Sequence, residues 1–368
     1  MSASVSMSSI AGPAVFGWDV GGAHVKVSRV DADGVVTDIA QWACPLWQGL
    51  DHLHRAIDSA AERWPDLTQA PARHAVTMTG EMVDLFADRE HGVHALVDAL
   101  ATRLGADTAF FAGASGWLDA AQSIAQWRAV ASANWLATAQ HVATRMRDCV
   151  LIDIGSTTTD IVPVADARVA ARGVSDATRL VTGELAYHGV VRTPLCGIAH
   201  RIAFRGETAG VMNEWFATSA DIYRLTGELW PPHDQHASAD NGPKTVAASC
   251  ARLARTIGRD AGDATEDEWR EFAQTWRDAQ LRAIGASFEQ VCAAHPSLAR
   301  APVVGAGCGR FLAAALAKAH ARDYVDFGTF TQIAGNAPAD AAEWIATCAP
   351  SVAVAWLMTA RRREQRAA

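Results

Sequence analysis

Two stretches combine a carboxylate with glycine and hydroxyl residues in a spacing that suits an anion and its counter-ion. One is Val15-Phe16-Gly17-Trp18-Asp19-Val20-Gly21-Gly22-Ala23-His24-Val25-Lys26; the other is Leu151-Ile152-Asp153-Ile154-Gly155-Ser156-Thr157-Thr158-Thr159-Asp160-Ile161. In each, an apolar run breaks on an acid, turns over glycine and resumes as apolar residues, the pattern of strand, tight turn and strand. The turn N–H groups and hydroxyls of Gly21, Gly22, Gly155, Ser156, Thr157 and Thr158 can face a phosphate, and Lys26 can add a point charge. Mg2+ binds through one or two carboxylates plus phosphate oxygens and keeps several waters. Asp19 and Asp153 are the candidate ligands, with Asp160 third. A third glycine-rich stretch, Pro302-Val303-Val304-Gly305-Ala306-Gly307-Cys308-Gly309-Arg310, reads as strand, turn and helix start, where Gly305 and Gly307 allow close backbone approach to a ligand.

Other residues suggest chemistry less specifically. The pairs His52/His54, His91/His94 and His233/His236 lack a Cys or carboxylate set at zinc-ligand spacing and read as solvated or loop histidines. Cys308 reads as a small packing residue, and most of the 13 tryptophans as core.

The elements around these turns alternate. Val15–Asp19, Val25–Val30 and Val35–Trp42 form a meander, Leu50–Arg63 a helix, and His74–Thr79 a strand ending at Gly80-Glu81. Leu96–Leu104 continues as helix, Thr108–Phe111 as strand and Ile124–Met146 as one long helix. Beyond the second turn, Arg168–Arg172 and Gly189–Thr193 read as strands and Asn213–Pro243 as an irregular surface excursion. Helices follow over Val246–Gly258 and Glu266–His295. Two strand-Asp-x-Gly-turn-strand units a domain apart suggest two facing lobes.

With 368 residues, half of them hydrophobic, the chain can bury two full cores. A formal charge of −8 gives no basic footprint for nucleic acid; Arg361–Arg366 reads as a solvated helix end. Seven cysteines without a CxxC pair fit reduced thiols and a cytoplasmic protein. Residues 1–12 read as a disordered tail rather than a signal peptide. Ile345–Met358, interrupted by Pro350, is too short to cross a bilayer and reads as a buried helix.

The paired D-x-G hairpins resemble the phosphate 1 and phosphate 2 loops of the actin, Hsp70 and sugar kinase (ASKHA) superfamily. That resemblance implies an α/β, two-lobed, ribonuclease H-like fold whose lobes close over a phosphorylated ligand and its metal. The first lobe would span residues 13–148, the second 149–340, and a helix over 341–368 would pack back on the first. Further stretches resemble the hydantoinase/oxoprolinase family and, within it, the branch of methanofuran-biosynthesis synthases. They are Asp19–Lys26, Thr77–Met82, Ala133-Asn134-Trp135, Asp153–Asp160, Gly183–Tyr187, Val191–Leu195 and Asp221–Gly227.

This likeness implies transfer of a furylmethyl group from 5-(aminomethyl)-3-furanmethanol diphosphate to the phenolic oxygen of γ-glutamyltyramine, with release of diphosphate. Mg2+ would assist and ATP would not be required. The two acidic turns would grip one diphosphate through a shared cation. A phenol of pKa about 10 needs a base, for which Glu81, Asp160 and Glu184 are candidates. Glu184 or Glu81 would match the aminomethyl cation, and Arg179, Arg192 or Arg224 the glutamyl carboxylates; each could equally sit in an ordinary ion pair. Expected partners are small-molecule substrates, with no nucleic acid or membrane and with a homodimer left open. Two other functions remain: an ATP-dependent kinase or oxoprolinase-type hydrolase, and a non-catalytic nucleotide sensor. The chain lacks a kinase-type D-G-A loop, and Gly305–Arg310 is shorter than the adenosine motif of sugar kinases.

Overall fold

A computed structural model of the chain describes residues 13–69, 72–105 and 107–367; the expected tail over 1–12 lies outside them. These residues divide into two compact units. One comprises the chain up to Thr138 with Thr331–Trp344 and Pro350 onward, and the other Ala139–Phe330 with Ile345–Ala349.

The first unit is built on a sheet of strands β1 (Val15–Val20), β2 (His24–Val30), β3 (Val36–Ala43), β4 (Arg73–Met78), β5 (Thr108–Phe111) and β6 (Trp117–Leu118) in the order β3-β2-β1-β4-β5-β6. Central β1 is buried at every position, so it reads as a continuous apolar run rather than an alternation. Helix α1 (Asp51–Arg63) connects β3 to β4, and helix α2 (Arg89–Leu104) connects β4 to β5. Asp88 caps α2 by accepting from the His91 N–H, which starts the helix seven residues before the expected Leu96. Helices α3 (Ala120–Ala125), α4 (Trp127–Val130) and α5 (Asn134–Ala143) replace the single helix expected over Ile124–Met146. The last break falls at Ser132, whose φ of +50° lies in the left-handed region and cannot continue a right-handed helix.

Beneath β1, the Trp18 indole donates to His74 Nδ1 at 3.1 Å, and the imidazole stacks on Phe16 at 5.7 Å. Burial lowers the His74 pKa from 6.5 to about 4. The unfolded chain therefore binds a proton that the folded chain refuses between these values, so stability falls as pH drops from 6.5 toward 4. The cost at full protonation is about 3 kcal/mol. Urea unfolding of His74→Gln, which keeps an acceptor for Trp18, is expected to show a flatter pH dependence than wild type over this window; parallel curves would remove His74 as the cause.

The second unit repeats the core of that sheet. Strands β7 (Cys149–Ile154), β8 (Thr159–Ala165) and β9 (Arg168–Val169) precede helix α6 (Asp176–Thr182) and strand β10 (Leu185–Ala186). A two-stranded ribbon, β11 (Arg201–Phe204) with β12 (Glu207–Gly210), leads to helices α7 (Ser219–Thr226), α8 (Val246–Arg255) and α9 (Glu266–Ala294). Strand β13 (Val303–Ala306), helix α10 (Arg310–Ala319) and strand β14 (Tyr324–Asp326) complete the sheet, ordered β10-β8-β7-β13-β14 with β9 on β8. In both units an antiparallel hairpin, β1–β2 or β7–β8, is extended by a strand parallel to its first member, β4 or β13.

Several expectations change here. Residues 189–193 are not a strand, and Asn213–Pro243 contains α7. A buried charge network holds this excursion in place. Asp221 accepts from Arg252 Nε at 2.8 Å and Ser249 Oγ at 2.7 Å, while Arg224 bonds both Asp221 and Asp234. Residues 331–344 group with the first unit because Val36 N donates to Gln332 O and Ala334 N to Val36 O, both at 2.9 Å.

The apolar stretch near the end forms two helices, α11 (Ala341–Thr347) and α12 (Ala349–Ala367), with Pro350 tolerated in the first turn of α12. A Cβ on Gly17 would lie 2.0 Å from Ser351 O and 2.8 Å from Ala355 Cβ, so α12 packs directly on β1 where no side chain intervenes. Among the described residues no single helix is long and apolar enough to cross a membrane. The seven cysteines are thiols, none of them in a disulfide.

Candidate active site

In the first unit, the β1–β2 register sets Asp19 opposite Lys26, so both side chains leave the same face. Lys26 Nζ lies 3.4 Å from Asp19 Oδ2. The parallel register with β4 adds Thr77 beside Asp19. Asp19 is buried, and desolvation raises its pKa, with Lys26 and the Asn134 side chain drawing it back. Its Oδ1 accepts no hydrogen bond of standard geometry. A costly buried carboxylate with an oxygen left over suits a cation. The Gly21-Gly22 turn is held from behind, because Leu46 N donates to Gly22 O at 3.0 Å and Cys44 N to Ala23 O at 2.8 Å.

The second hairpin repeats the plan with more hydroxyls. Asp153 faces Asp160 across β7–β8, and Gly155 N closes the turn on Thr158 O at 2.9 Å. A strap over residues 188–193 lies along it. Val190 N donates to Gly155 O at 3.1 Å, and Val191 N and Arg192 N donate to Ser156 O at 3.1 and 2.8 Å. A Cβ on Gly189 would sit 2.3 Å from Ser156 C and Thr157 N, so only glycine lets the strap approach this closely. The strap occupies turn carbonyls, whereas no protein acceptor among the described residues takes the N–H groups of Ser156, Thr157 or Thr158. Donors left over in a tight turn form an anion cradle. Arg192 Nη1 lies 3.5 Å from Thr157 Oγ1, and burial lowers the arginine's pKa, a penalty that a bound anion would relieve. Burial lowers the pKa of His188, at the other end of the strap, and its Nδ1 has no hydrogen-bond partner. Sequence reasoning did not single it out because nothing in its spacing links it to Asp153.

The remaining sequence candidates have other partners. Glu184 is buried and accepts from Arg172 N, Gly173 N and Thr182 Oγ1 at 2.6, 2.7 and 2.9 Å, which ties the loop to it. Arg179 is buried and bonds Asp160 Oδ1 and Glu184 O, each at 2.8 Å, so both Arg179 and Asp160 are engaged inside the unit. Arg224 belongs to the charge network around Asp221, where it pairs with Asp221 and Asp234. Glu81 is fully buried and accepts from Ser132 Oγ at 2.7 Å. Gly305 packs against protein, since a Cβ there would meet the Tyr324 hydroxyl at 2.4 Å. Gly307 does reach the turn: its Cβ would lie 2.5 Å from Asp153 Oδ1. No group of three or more His, Cys, Asp or Glu among the described residues could hold a metal unaided. A Mg2+ ion here would take only one or two carboxylates, with phosphate oxygens and water completing its shell.

Residues 73–329 match the hydantoinase/oxoprolinase family. The chain belongs to that family. The matched segment contains the second hairpin, its strap and Gly307, while Asp19 and Lys26 lie ahead of it. Among relatives, the (4-{4-[2-(gamma-L-glutamylamino)ethyl]phenoxymethyl}furan-2-yl)methanamine synthase of Methanocaldococcus jannaschii is 28% identical over 73% of this chain and 79% of its own. A protein of the same name from Methanococcus vannielii is 33% identical over 33% of this chain and 54% of its own length. Among solved structures, a nucleotide-free acetone carboxylase superposes with a TM-score of 0.51 at 10% identity, covering 94% of this chain and 70% of that one. The component A of Acidaminococcus fermentans (R)-2-hydroxyglutaryl-CoA dehydratase gives 0.47 at 10% identity, over 95% and 99% of the two chains. The family member described here has the ASKHA fold, with an acidic strand-turn-strand hairpin in each unit.

Proposed function

We propose that the protein is a transferase of methanofuran-type cofactor biosynthesis, joining 5-(aminomethyl)-3-furanmethanol diphosphate to the phenolic oxygen of γ-glutamyltyramine. The observation that carries this reading is the shared name of two relatives, one matched over 73% of the chain. The second hairpin supports it chemically, because uncommitted turn N–H groups beside Arg192 suit a diphosphate leaving group. As the phenolic oxygen bonds to the furylmethyl carbon, the carbon–oxygen bond to diphosphate breaks and its electron pair leaves with the phosphate. Positive charge on the carbon is shared by the furan ring oxygen, so the protein's main task is to neutralise the leaving oxygens. Bound Mg2+ would supply Lewis-acid charge to those oxygens, with Asp19 and Asp153 as candidate ligands. Turn N–H groups and Arg192 hold the phosphates, and the acceptor's phenolic proton passes to the released diphosphate, whose oxygens are basic enough to take it.

The test incubates the purified full chain with the furan diphosphate, γ-glutamyltyramine and Mg2+ and follows products by mass spectrometry. Ether and diphosphate in equal amounts are expected without ATP. Turnover only with ATP, with phosphate transferred to a small molecule, would replace this reading by the kinase one.

A further inference from the structure

Along one buried face of α9, Trp276, Gln280, Ile284 and Phe288 follow one another at helical spacing, and Gln280 is the polar exception. It is fully buried, and an amide taken out of water costs stability unless each of its groups finds a partner. Both groups do. Gln280 Nε2 donates to Gly189 O at 2.9 Å, and Gln280 Oε1 accepts from the Tyr223 hydroxyl at 2.6 Å. The Gly189 carbonyl has no proton to give, so it fixes which end of the amide faces the strap. Tyr223 of α7 is fully buried as well, with Phe311 edge-on to its ring at 5.1 Å. Packing alone would be served by one more apolar side chain on α9. What the amide adds is a fixed place for a carbonyl 91 positions away in the chain.

That carbonyl belongs to the strap along the second acidic turn, and the strap is tied elsewhere too. Thr193 O accepts from Ser219 N at 2.8 Å and Val191 O from Ala220 N at 3.2 Å, both in the first turn of α7. Within the strap, Gly189 N donates to Thr193 Oγ1 at 2.8 Å. On its other side the strap N–H groups hold Gly155 O and Ser156 O, and a Cβ on Gly189 would meet Ser156 C at 2.3 Å. There is no slack at that contact, so a shift of Gly189 is a shift of the turn. The same strap carries Arg192, whose guanidinium lies beside Thr157.

We propose that Gln280, held by Tyr223, is a positioning residue that pins Gly189 so that the strap keeps the Ser156-Thr157 turn and the Arg192 side chain in the arrangement that receives a diphosphate. This rests on the function proposed above. It gives Gln280, Tyr223 and Thr193 roles in anion binding, exerted through the strap, that neither the family match nor the relatives' names assign.

The experiment titrates inorganic pyrophosphate with Mg2+ into the full chain by calorimetry, well below the melting temperature of each variant. Wild type is expected to bind. Gln280→Met keeps the length of the side chain and loses both polar groups; it should weaken binding about 10- to 100-fold, the worth of one misplaced hydrogen bond to a charged group. Thr193→Val, which leaves Gly189 N without its acceptor, should weaken binding in the same direction, and Thr193→Ser, which keeps the hydroxyl, should restore it. In an Arg192→Ala background Gln280→Met should cost much less than in wild type, because the contact it would misplace is already gone. A role confined to packing predicts instead a lower melting temperature with affinity intact. Wild-type affinity in both Gln280→Met and Thr193→Val overturns the proposal, and so does full additivity of Gln280→Met with Arg192→Ala. If Gln280→Met does not fold, Tyr223→Phe, which deletes only the hydroxyl on Gln280 Oε1, is read in its place by the same criteria. Absence of pyrophosphate binding in wild type would instead sink the proposed function, and this inference with it.

Discussion

Replacing Asp153 by Asn is expected to lower kcat/KM for ether formation by about 10²- to 10³-fold, the usual effect of deleting one group that stabilises developing charge. Asn has almost the same shape, and Asp160 opposite keeps its 2.8 Å bond to Arg179, so the β7–β8 hairpin should stay folded. Asp19→Asn should lose activity to a similar extent while behaving differently in unfolding. Burial raises the Asp19 pKa, which means that its ionised form is held in the folded chain at a cost near neutral pH. A neutral amide removes that cost at the expense of the 3.4 Å contact with Lys26. The melting temperature of metal-free Asp19→Asn is therefore expected to equal or exceed that of wild type, the trade of stability for function common at active sites. A variant with full turnover would dismiss either aspartate from the site, and a large drop in the Asp19→Asn melting temperature would reassign that residue to a structural role.

Gly307→Ala carries the largest expected effect on the fold of the second hairpin. Two penalties coincide at this position. Its φ of +81° strains any residue with a Cβ, and that atom would lie 2.1 Å from Ile154 O and 2.5 Å from Asp153 Oδ1. The first atom is backbone and cannot swing aside. Ile154 O also accepts from Gly309 N at 2.8 Å, and Gly307 N is tied to Ala346 O at 2.7 Å, so neither side of the clash can retreat without losing a hydrogen bond. The strain alone is about 1–2 kcal/mol, and relieving the overlap should bring the total to about 3 kcal/mol or more. Whatever protein folds should carry a displaced Asp153 and show little turnover. Gly305→Ala is the control. Its new methyl meets the end of the Tyr324 side chain, which can rotate, so denaturant midpoints should fall less. Equal losses at the two positions would mean that general crowding, and not contact with the hairpin, explains Gly307.

Local pattern in the sequence was sufficient for the two hairpins, because a strand-turn-strand unit closes its backbone hydrogen bonds among residues a few positions apart. The apolar runs through Asp19 and Asp153 and the glycines behind them identified the turns, whereas the pairing of Asp19 with Lys26 came only from the strand register. The same locality explains what was lost. The helix expected over Ile124–Met146 is apolar at the right period throughout, yet it breaks at Ser132 because a carboxylate 51 positions away accepts its hydroxyl. The role of each remaining charged side chain was likewise a matter of distant partners. Arg179 is claimed by Asp160 and Arg224 by Ser249, 19 and 25 positions away, whereas Arg192 reaches Thr157 across 35. Gly305 and Gly307, two residues apart in one motif, face Tyr324 and Asp153 respectively, a difference decided by which neighbour the sheet places against each. Sequence by itself determined where the two acidic turns form; tertiary structure decided which partners each charged side chain meets, because a charge in a low-dielectric interior must be matched by whatever the fold brings beside it.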